Sequence, residues 1–156
     1  MLGEILHLTH VVLAGVWLGG LVFTTLVVSP ALKAMKWPEA ERVAVRSAIG
    51  RQYAKVGSIN LVLLALFALL DGTLGDFGPA YYAEYALILV LFGLVAAHGA
   101  YFGRRLAELA RAERESKNEE VTRLLAQKRR SLQGVSSRVS WVSLLVSTAV
   151  VVLAMG

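Results

Sequence analysis

The sequence predicts an all-α integral membrane protein, an antiparallel four-transmembrane-helix bundle with a cytoplasmic helical hairpin extension. Three observations lead to this fold class. Of the 156 residues 56% are hydrophobic, and the mean hydropathy is +0.61, above the roughly 45–50% apolar content of soluble domains. The apolar residues gather in four long stretches. Every Lys and Arg lies outside these stretches, in one of two blocks at 33–55 and 104–138.

The chain is expected to form one membrane domain, 1–156. The spans are predicted at about residues 5–28, 56–70, 81–102 and 139–155, and the cytoplasmic segments at 33–55 and 103–138. At about 1.5 Å per residue, the first stretch can cross a hydrocarbon core of about 30 Å with some tilt. A cleaved signal peptide is the competing interpretation, but no basic residue precedes this stretch and it lacks a clear small-x-small cleavage motif.

The first basic segment is predicted to leave the membrane at an interfacial Trp37 and to begin a short helix with Pro38 in its first turn. The charged face of this helix would lie against phospholipid headgroups, and a solvated connector is the alternative. The second span is predicted to end in a turn that starts at Asp71-Gly72.

The third span opens with tyrosines at 81, 82 and 85, which predict an aromatic belt at the outer interface. The third and fourth spans are expected to continue into the cytoplasm as helices. Ser116-Lys117-Asn118-Glu119 has the form of a capping box, so one helix should stop there and another begin. The mixed charges of this hairpin favour a salt-bridged extension over a nucleic-acid partner.

Orientation follows from the two basic segments, because loops rich in Lys and Arg stay in the cytoplasm. The sequence therefore predicts a multi-pass protein of the cytoplasmic (inner) membrane with both termini extracytoplasmic. The lipid bilayer is its first expected partner. Met1, His7 and Met155 would then lie at or near the outer face.

The histidines are the strongest candidates for chemistry, since a polar residue at membrane depth is costly to bury. His7 and His10 are three residues apart on one helical face, and Trp17 falls close to that face. His98 lies late in the third span. A metal or haem bound at His7 or His10 is one interpretation, and interhelical hydrogen bonding by the same imidazoles is the other.

Two pairs of small residues are predicted to let helices approach closely, Gly15 with Gly19 and Gly99 with Gly103. Either pair, or the cytoplasmic hairpin, is a candidate surface for a homo-oligomer.

The motifs around His10 resemble a known family. His10 followed by Trp17-Leu18-Gly19-Gly20 is similar to the membrane domain of the copper-resistance protein D family and to its small uncharacterised four-helix relatives. His98-Gly99 late in the third span continues the likeness, as does Arg129-Arg130-Ser131-Leu132 before the fourth. The resemblance implies copper uptake, resistance or homeostasis, with His7 and His10 as metal ligands that the thioethers of Met1 and Met155 could join.

A related group, the haem-binding four-helix protoporphyrinogen oxidases, shares a first-span His with a Trp soon after it. That group also has a Lys in the third span, where this sequence has Ala86-Leu87-Ile88. The oxidase activity is therefore not expected here.

The alternative to copper is a b-type haem held by a membrane-embedded His, with Trp17 and Phe23 walling the macrocycle. In the copper interpretation, His98, the other candidate cofactor-binding residue, would serve a deeper position on a route inward. His10 would lie about 8 Å, and His98 about 25 Å, from the outer ends of their spans. This difference argues against one haem held between them. A five-coordinate haem at His10, or one shared across a dimer, stays open.

A third alternative is a non-catalytic membrane scaffold whose hairpin recruits a partner or binds anionic lipid. The sequence does not favour an enzyme. It shows no nucleophile and base at motif spacing, no phosphate loop, and no paired carboxylates away from the charged hairpin. Without cysteine, any metal must use His, Met, carboxylate or backbone ligands.

Overall fold

The computed structural model describes residues 1–37, 39–75 and 78–156, and at 39, 40, 43, 47, 99 and 100 it describes the backbone alone. The described chain consists of helices and short connections. The α-helices are α1 (Leu2–Val22), α2 (Ser29–Ala34), α3 (Glu39–Leu74), α4 (Pro79–Ala96), α5 (Arg104–Glu115) and α6 (Glu119–Ala154). A π-helical segment, Phe23–Val28, joins α1 to α2, and a second, Ala97–Gly103, joins α4 to α5.

Four helical stretches are long and apolar enough to cross a membrane. They are Leu2–Ala34, Ala44–Leu74, Pro79–Glu115 and Glu119–Ala154, of 33, 31, 37 and 36 residues. Large apolar side chains such as Ile59, Leu89 and Leu145 point outward and are exposed. A continuous apolar exterior suits lipid and not water. The predicted all-helical fold with four spanning helices is confirmed.

The helices pack around a narrow core. α1 and α4 each pack against α3 and α6, so α1 and α4 face each other across the bundle. The buried side chains that form the core are Ala14, Trp17, Leu61, Leu64, Ala68, Ile88, Leu91, Val150 and Ala154. Three of these are alanines. Small residues let helices approach closely where lipid provides no hydrophobic driving force for association.

The first π-helical segment has a physical cause. Pro30 follows it by two residues and sits in the first turn of α2. Proline cannot donate a backbone hydrogen bond and its ring crowds the carbonyl four residues earlier. A locally wider helix relieves that crowding and lets the chain continue.

The second span differs from its prediction. The expected short helix after Pro38 and the expected span from Val56 are one continuous helix, α3. No proline interrupts the sequence between them. Pro38 itself lies outside the described residues. The predicted turn at Asp71-Gly72 is also wrong, since both residues lie in the last turn of α3. Asp71 is buried, and its carboxylate contacts His7 and His10 of α1.

The break between α5 and α6 lies where the sequence predicts it, but the predicted cap is wrong. Asn118, and not Ser116, is the N-cap of α6. Its side-chain oxygen accepts from the backbone N–H of Glu120 at 2.9 Å, whereas the Ser116 hydroxyl donates to the Asn118 carbonyl. Asparagine caps helices as well as serine does. α5 packs against α6, and Arg129 Nε donates to Glu113 Oε2 at 2.8 Å.

Candidate functional site

Four ionisable side chains meet at the end of the bundle where α1 begins. His7 and His10 lie on one face of α1, Asp71 lies in the last turn of α3, and Glu84 lies in the second turn of α4. We call these four residues the His10 cluster. α1 is far in sequence from α3 and α4, so the histidines meet the carboxylates only because the bundle closes.

Each imidazole contacts a carboxylate. The Nε2–H of His10 donates to Oε1 of Glu84 at 2.7 Å, and the Nδ1–H of His7 donates to Oδ2 of Asp71 at 2.9 Å. His10, Glu84 and Asp71 are only 1%, 2% and 7% exposed, whereas His7 is about half exposed. The cluster therefore has three buried members and one at the surface.

The second ring nitrogen of His10 is the unusual atom. Nδ1 is buried and has no hydrogen-bond partner among the described residues. It faces Oδ2 of Asp71 across 3.6 Å. When Nε2 carries the ring proton of a neutral imidazole, Nδ1 is an acceptor. Two buried acceptors then face each other, an arrangement that a cation between them would stabilise.

A cavity of about 160 Å³ opens beside these atoms. All four members of the His10 cluster line it, together with Tyr81 and the last residues of α6. The cavity is large enough for an ion with a few water molecules, since one water occupies about 30 Å³ in the liquid. The half-exposed His7 stands between the buried carboxylates and the surface.

The charge of the cluster is not balanced by basic side chains. Lys and Arg are confined to 33–55 and 104–138, and the N-terminal ammonium group pairs with Glu4. Buried carboxylates are costly unless they are paired. If both Asp71 and Glu84 are ionised and the histidines are neutral, this end of the bundle carries two uncompensated negative charges.

Trp17 and His98, the residues predicted to bind a cofactor, lie outside the cavity lining. Trp17 is buried in the core, and its Nε1–H donates to the Ser147 hydroxyl at 2.9 Å. His98 is exposed in the second π-helical segment, with its ring 6.0 Å from that of Phe102. Of the predicted site residues, the structure brings together His7 and His10 only.

The glycine pairs fall on different surfaces. A methyl group at Gly15 or Gly19 would meet no described atom within 4 Å, so this face of α1 is open. The close approach occurs one position later. A Cβ at Gly20 would lie 2.8 Å from Cε2 of Tyr53, so a larger residue there would force the Tyr53 ring to move. Gly103 is near only the His98 carbonyl, and Gly99 is described by its backbone alone.

Sequence reasoning missed Asp71 and Glu84 as site residues. The statement that paired carboxylates are confined to the charged hairpin is wrong, because these two flank the His10 ring. Asp71 was interpreted as a turn residue, because it directly precedes Gly72. Glu84 carried a usable signal, since it is an acidic residue in the otherwise apolar stretch of the third span, where such residues are rare and functional.

The cluster is not a preformed metal centre. In residues 1–37, 39–75 and 78–156, no group of three or more His, Asp or Glu side chains is arranged to hold a metal ion. An ion would find two facing ligand atoms, Nδ1 of His10 and Oδ2 of Asp71, and would need a third side chain to move.

Residues 12–115 match the family model described as Domain of unknown function (DUF4149). The matched range contains Asp71 and Glu84 and begins two residues after His10. An uncharacterized protein of Aquifex aeolicus (strain VF5) is 30% identical over 105 residues, which are 65% of this chain and 71% of that protein. No solved structure gives a significant match. These matches add no support for the resemblance to the copper-resistance protein D family.

Proposed function

We propose a metal-handling function in a membrane for this chain, which belongs to the DUF4149 family. His10 is the central ligand and His7 the second, and copper is the metal that the motif resemblance implies. One observation carries the proposal. The Nδ1 atom of His10 is buried without a hydrogen-bond partner among the described residues and faces a carboxylate oxygen beside a cavity.

The orientation of the His10 ring supports a metal ligand. Imidazoles that bind metals usually donate their other N–H to a carboxylate, which sets the tautomer and the ring direction. Glu84 holds Nε2 of His10 in that way at 2.7 Å. Two ligand atoms on a tetrahedral ion with bonds of about 2.0–2.1 Å lie about 3.3 Å apart. The 3.6 Å between Nδ1 of His10 and Oδ2 of Asp71 is close to this separation.

His7 supplies the movement that such a site needs. Its side chain is half exposed and is held by one hydrogen bond to Asp71. An ion that binds Oδ2 of Asp71 would replace that hydrogen bond and free the His7 ring to turn toward the metal. A site that closes around its ion in this manner is consistent with the lack of a three-residue group among the described side chains.

The proposed topology is an antiparallel bundle in the cytoplasmic membrane, with both termini and the His10 cluster on the extracytoplasmic side. Two observations support it. The cavity is lined by the N-terminal parts of α1 and α4 and by the C-terminal ends of α3 and α6. All Lys and Arg lie in the parts of α3 and α6 away from the cavity, in α2 or α5, or in the connections next to these helices. The positive-inside rule assigns these segments to the cytoplasm. α5 and the first part of α6 then form the cytoplasmic hairpin.

The cavity volume favours an ion over haem. Sites for organic cofactors usually have volumes of about 300–1,000 Å³, whereas this cavity has about 160 Å³. Trp17, the proposed wall of a haem site, is held in the core by Ser147. We therefore propose that the bound ligand is a metal ion. Bound haem, or a scaffold with no ligand, would be the alternative results of the metal analysis.

The test is the metal content of protein purified in mild detergent from copper-supplemented cells. We expect about one metal ion per wild-type chain by elemental analysis, since one cavity holds the paired ligand atoms. His10→Gln should retain less than a tenth of it, because the glutamine amide is a poor metal ligand. Ser147→Ala is the matched control, since it removes a buried hydroxyl outside the cavity lining.

Folding of His10→Gln is checked by circular dichroism and by gel filtration, so that loss of metal is separated from loss of structure. An absorption spectrum is recorded on the same samples. Wild-type protein without metal would refute the proposal. A Soret band that disappears in His10→Gln would replace it with the haem alternative, and neither metal nor haem would leave the scaffold.

A further inference from the structure

We infer that the His10 cluster binds a divalent cation of the zinc(II) or copper(II) class through nitrogen and oxygen ligands, and not thioether-bound copper(I). This inference rests on the proposed function and names the chemical class of the ion. Three observations support it: the type of ligand atom at the site, the charge of the site, and the position of one buried nitrogen, Nδ1 of His10.

Ligand type is the first argument. The ionisable side chains that line the cavity are two imidazoles, two carboxylates and the phenol of Tyr81. Imidazole nitrogen and carboxylate oxygen suit zinc and copper(II). Copper(I) prefers thioether and thiolate sulfur. The sequence contains no cysteine. Met1 and Met155 are the two methionines that the sequence predicts near the outer face. Both side chains are exposed, and neither is among the described residues that line the cavity.

Charge is the second argument. Asp71 and Glu84 bring two carboxylates to within 3.6 Å and 2.7 Å of the His10 ring, both of them buried. No Lys or Arg occurs between residues 1 and 32, 56 and 103, or 139 and 156. A divalent ion would neutralise the pair, whereas a monovalent ion would leave one charge buried and uncompensated.

The position of the His10 ring distinguishes this site from a cluster of acidic residues alone. Its ring is 1% exposed, and Nδ1 has no hydrogen-bond partner among the described residues. Glu84 on Nε2 leaves Nδ1 as the ligating atom. An ion bound only by oxygen, such as Mg²⁺, would not use this nitrogen. The site is thus built for an ion that accepts both imidazole and carboxylate.

The experiment titrates metal-free protein in detergent, in separate samples, with Zn²⁺, Cu²⁺, Mg²⁺ and copper(I), the last one anaerobically against a chromogenic copper(I) chelator. We expect about one Zn²⁺ or Cu²⁺ per chain, mutual competition between these two ions, and no displacement of either by equimolar Mg²⁺. Copper(I) should stay on the chelator. X-ray absorption of the zinc form should show nitrogen and oxygen ligands at about 2.0–2.1 Å and no sulfur at about 2.3 Å.

Two isosteric variants test the ligands. Asp71→Asn removes one charge and one strong ligand, and should weaken zinc binding more than about 100-fold. Glu84→Gln keeps an acceptor for His10 Nε2 but removes the charge, and should weaken binding about 10–100-fold, as loss of an outer partner usually does. Met155→Leu is the matched control and should bind zinc as the wild type does.

The outcomes separate this inference from the proposed function. Tight copper(I) binding that requires His10, with no zinc(II) or copper(II) binding, would overturn the divalent class and leave the metal function standing. A sulfur shell, or loss of zinc binding in Met155→Leu, would also overturn it. If the protein binds none of the four ions, both the inference and the proposed function fail.

Discussion

The His10 cluster and the α5–α6 region use the same types of charged residue in opposite ways. In α5 and the first half of α6, most charged side chains lie in water, and pairs such as Arg105 with Glu108 are 58% and 62% exposed. In the His10 cluster, Asp71 and Glu84 are buried and meet imidazoles instead of cations. The first arrangement leaves its charges hydrated, and the second removes its carboxylates from water.

This contrast indicates which ionisable residues lower the stability of the folded chain. Exposed ion pairs contribute little to stability, because water already solvates both charges. Buried carboxylates without cationic partners lower the stability of the bundle unless something else compensates them. Buried ionisable residues that are costly to stability and line a cavity are candidates for a functional site. Four substitutions sharpen this comparison, beginning with the largest expected effect.

Glu84→Ala should have the largest effect on stability. The substitution leaves the buried Nε2–H of His10 without its acceptor and opens a hole in the bundle. Loss of a buried hydrogen bond to a charged group typically costs about 1.5–3 kcal/mol, and the hole left by the side chain adds to this loss. The free energy of unfolding in mixed detergent micelles measures the effect. Glu108→Ala, on the exposed face of α5, is the control, and equal losses in the two variants would erase the contrast between the regions.

Arg129→Ala should have an intermediate effect, because Arg129 is the buried exception in the α5–α6 region. Its guanidinium Nε lies 2.8 Å from Oε2 of Glu113, and its side chain is nearly inaccessible. Hydrogen bonds to charged groups contribute about 1.5–3 kcal/mol. We expect a loss in that range, measured in the same unfolding assay. Metal binding at the His10 cluster should not change, and a change would show that the two regions are coupled.

Asn118→Ala should reduce stability by about 1 kcal/mol, the usual contribution of an N-cap side chain. Asn118 Oδ1 accepts the N–H of Glu120 at the start of α6. The effect should be local, so hydrogen exchange of the first turn of α6 should speed up while the core amides stay protected. Ser116→Ala is the matched control. A larger loss of stability in Ser116→Ala than in Asn118→Ala would instead indicate that Ser116 is the N-cap.

Arg111→Ala should change stability by less than about 0.5 kcal/mol, the usual value of an exposed pair one helical turn apart. Arg111 Nε donates to Glu115 at 2.7 Å, but both side chains are largely exposed. The same unfolding assay at low and high salt checks this. A loss above 1 kcal/mol would mean that the α5–α6 region is not simply solvated.

The sequence predicted parts of this molecule well. Four spanning helices followed from four apolar stretches, and the break near Lys117 followed from a cluster of polar residues that favour helix ends. His7 and His10 were recognised as neighbours because positions three apart share a helical face. Each of these conclusions depends on residues close together in the chain.

The carboxylate partners were out of reach of the same reasoning. Glu84 is 74 positions from His10, and Asp71 is 64 positions from His7. Nothing local to Asp71 distinguishes a turn residue from a buried ligand. The choice between them depends on which helix packs beside it. Similarly, Trp17 shares a helical face with the histidines, but its indole N–H is directed to Ser147 on α6.

By itself, the sequence determined that the chain is helical, that four of its stretches suit a bilayer, and that its basic residues are excluded from them. Hydrophobicity and the cost of burying charge act on each residue separately, so composition and order are enough for these features. Only the tertiary structure decided that two acidic residues would enclose His10 and leave one of its nitrogens facing a cavity. Electrostatic contacts act over a few ångströms of space, and it is the packing of α1 against α3, and α4 across from it, that brings those groups within range.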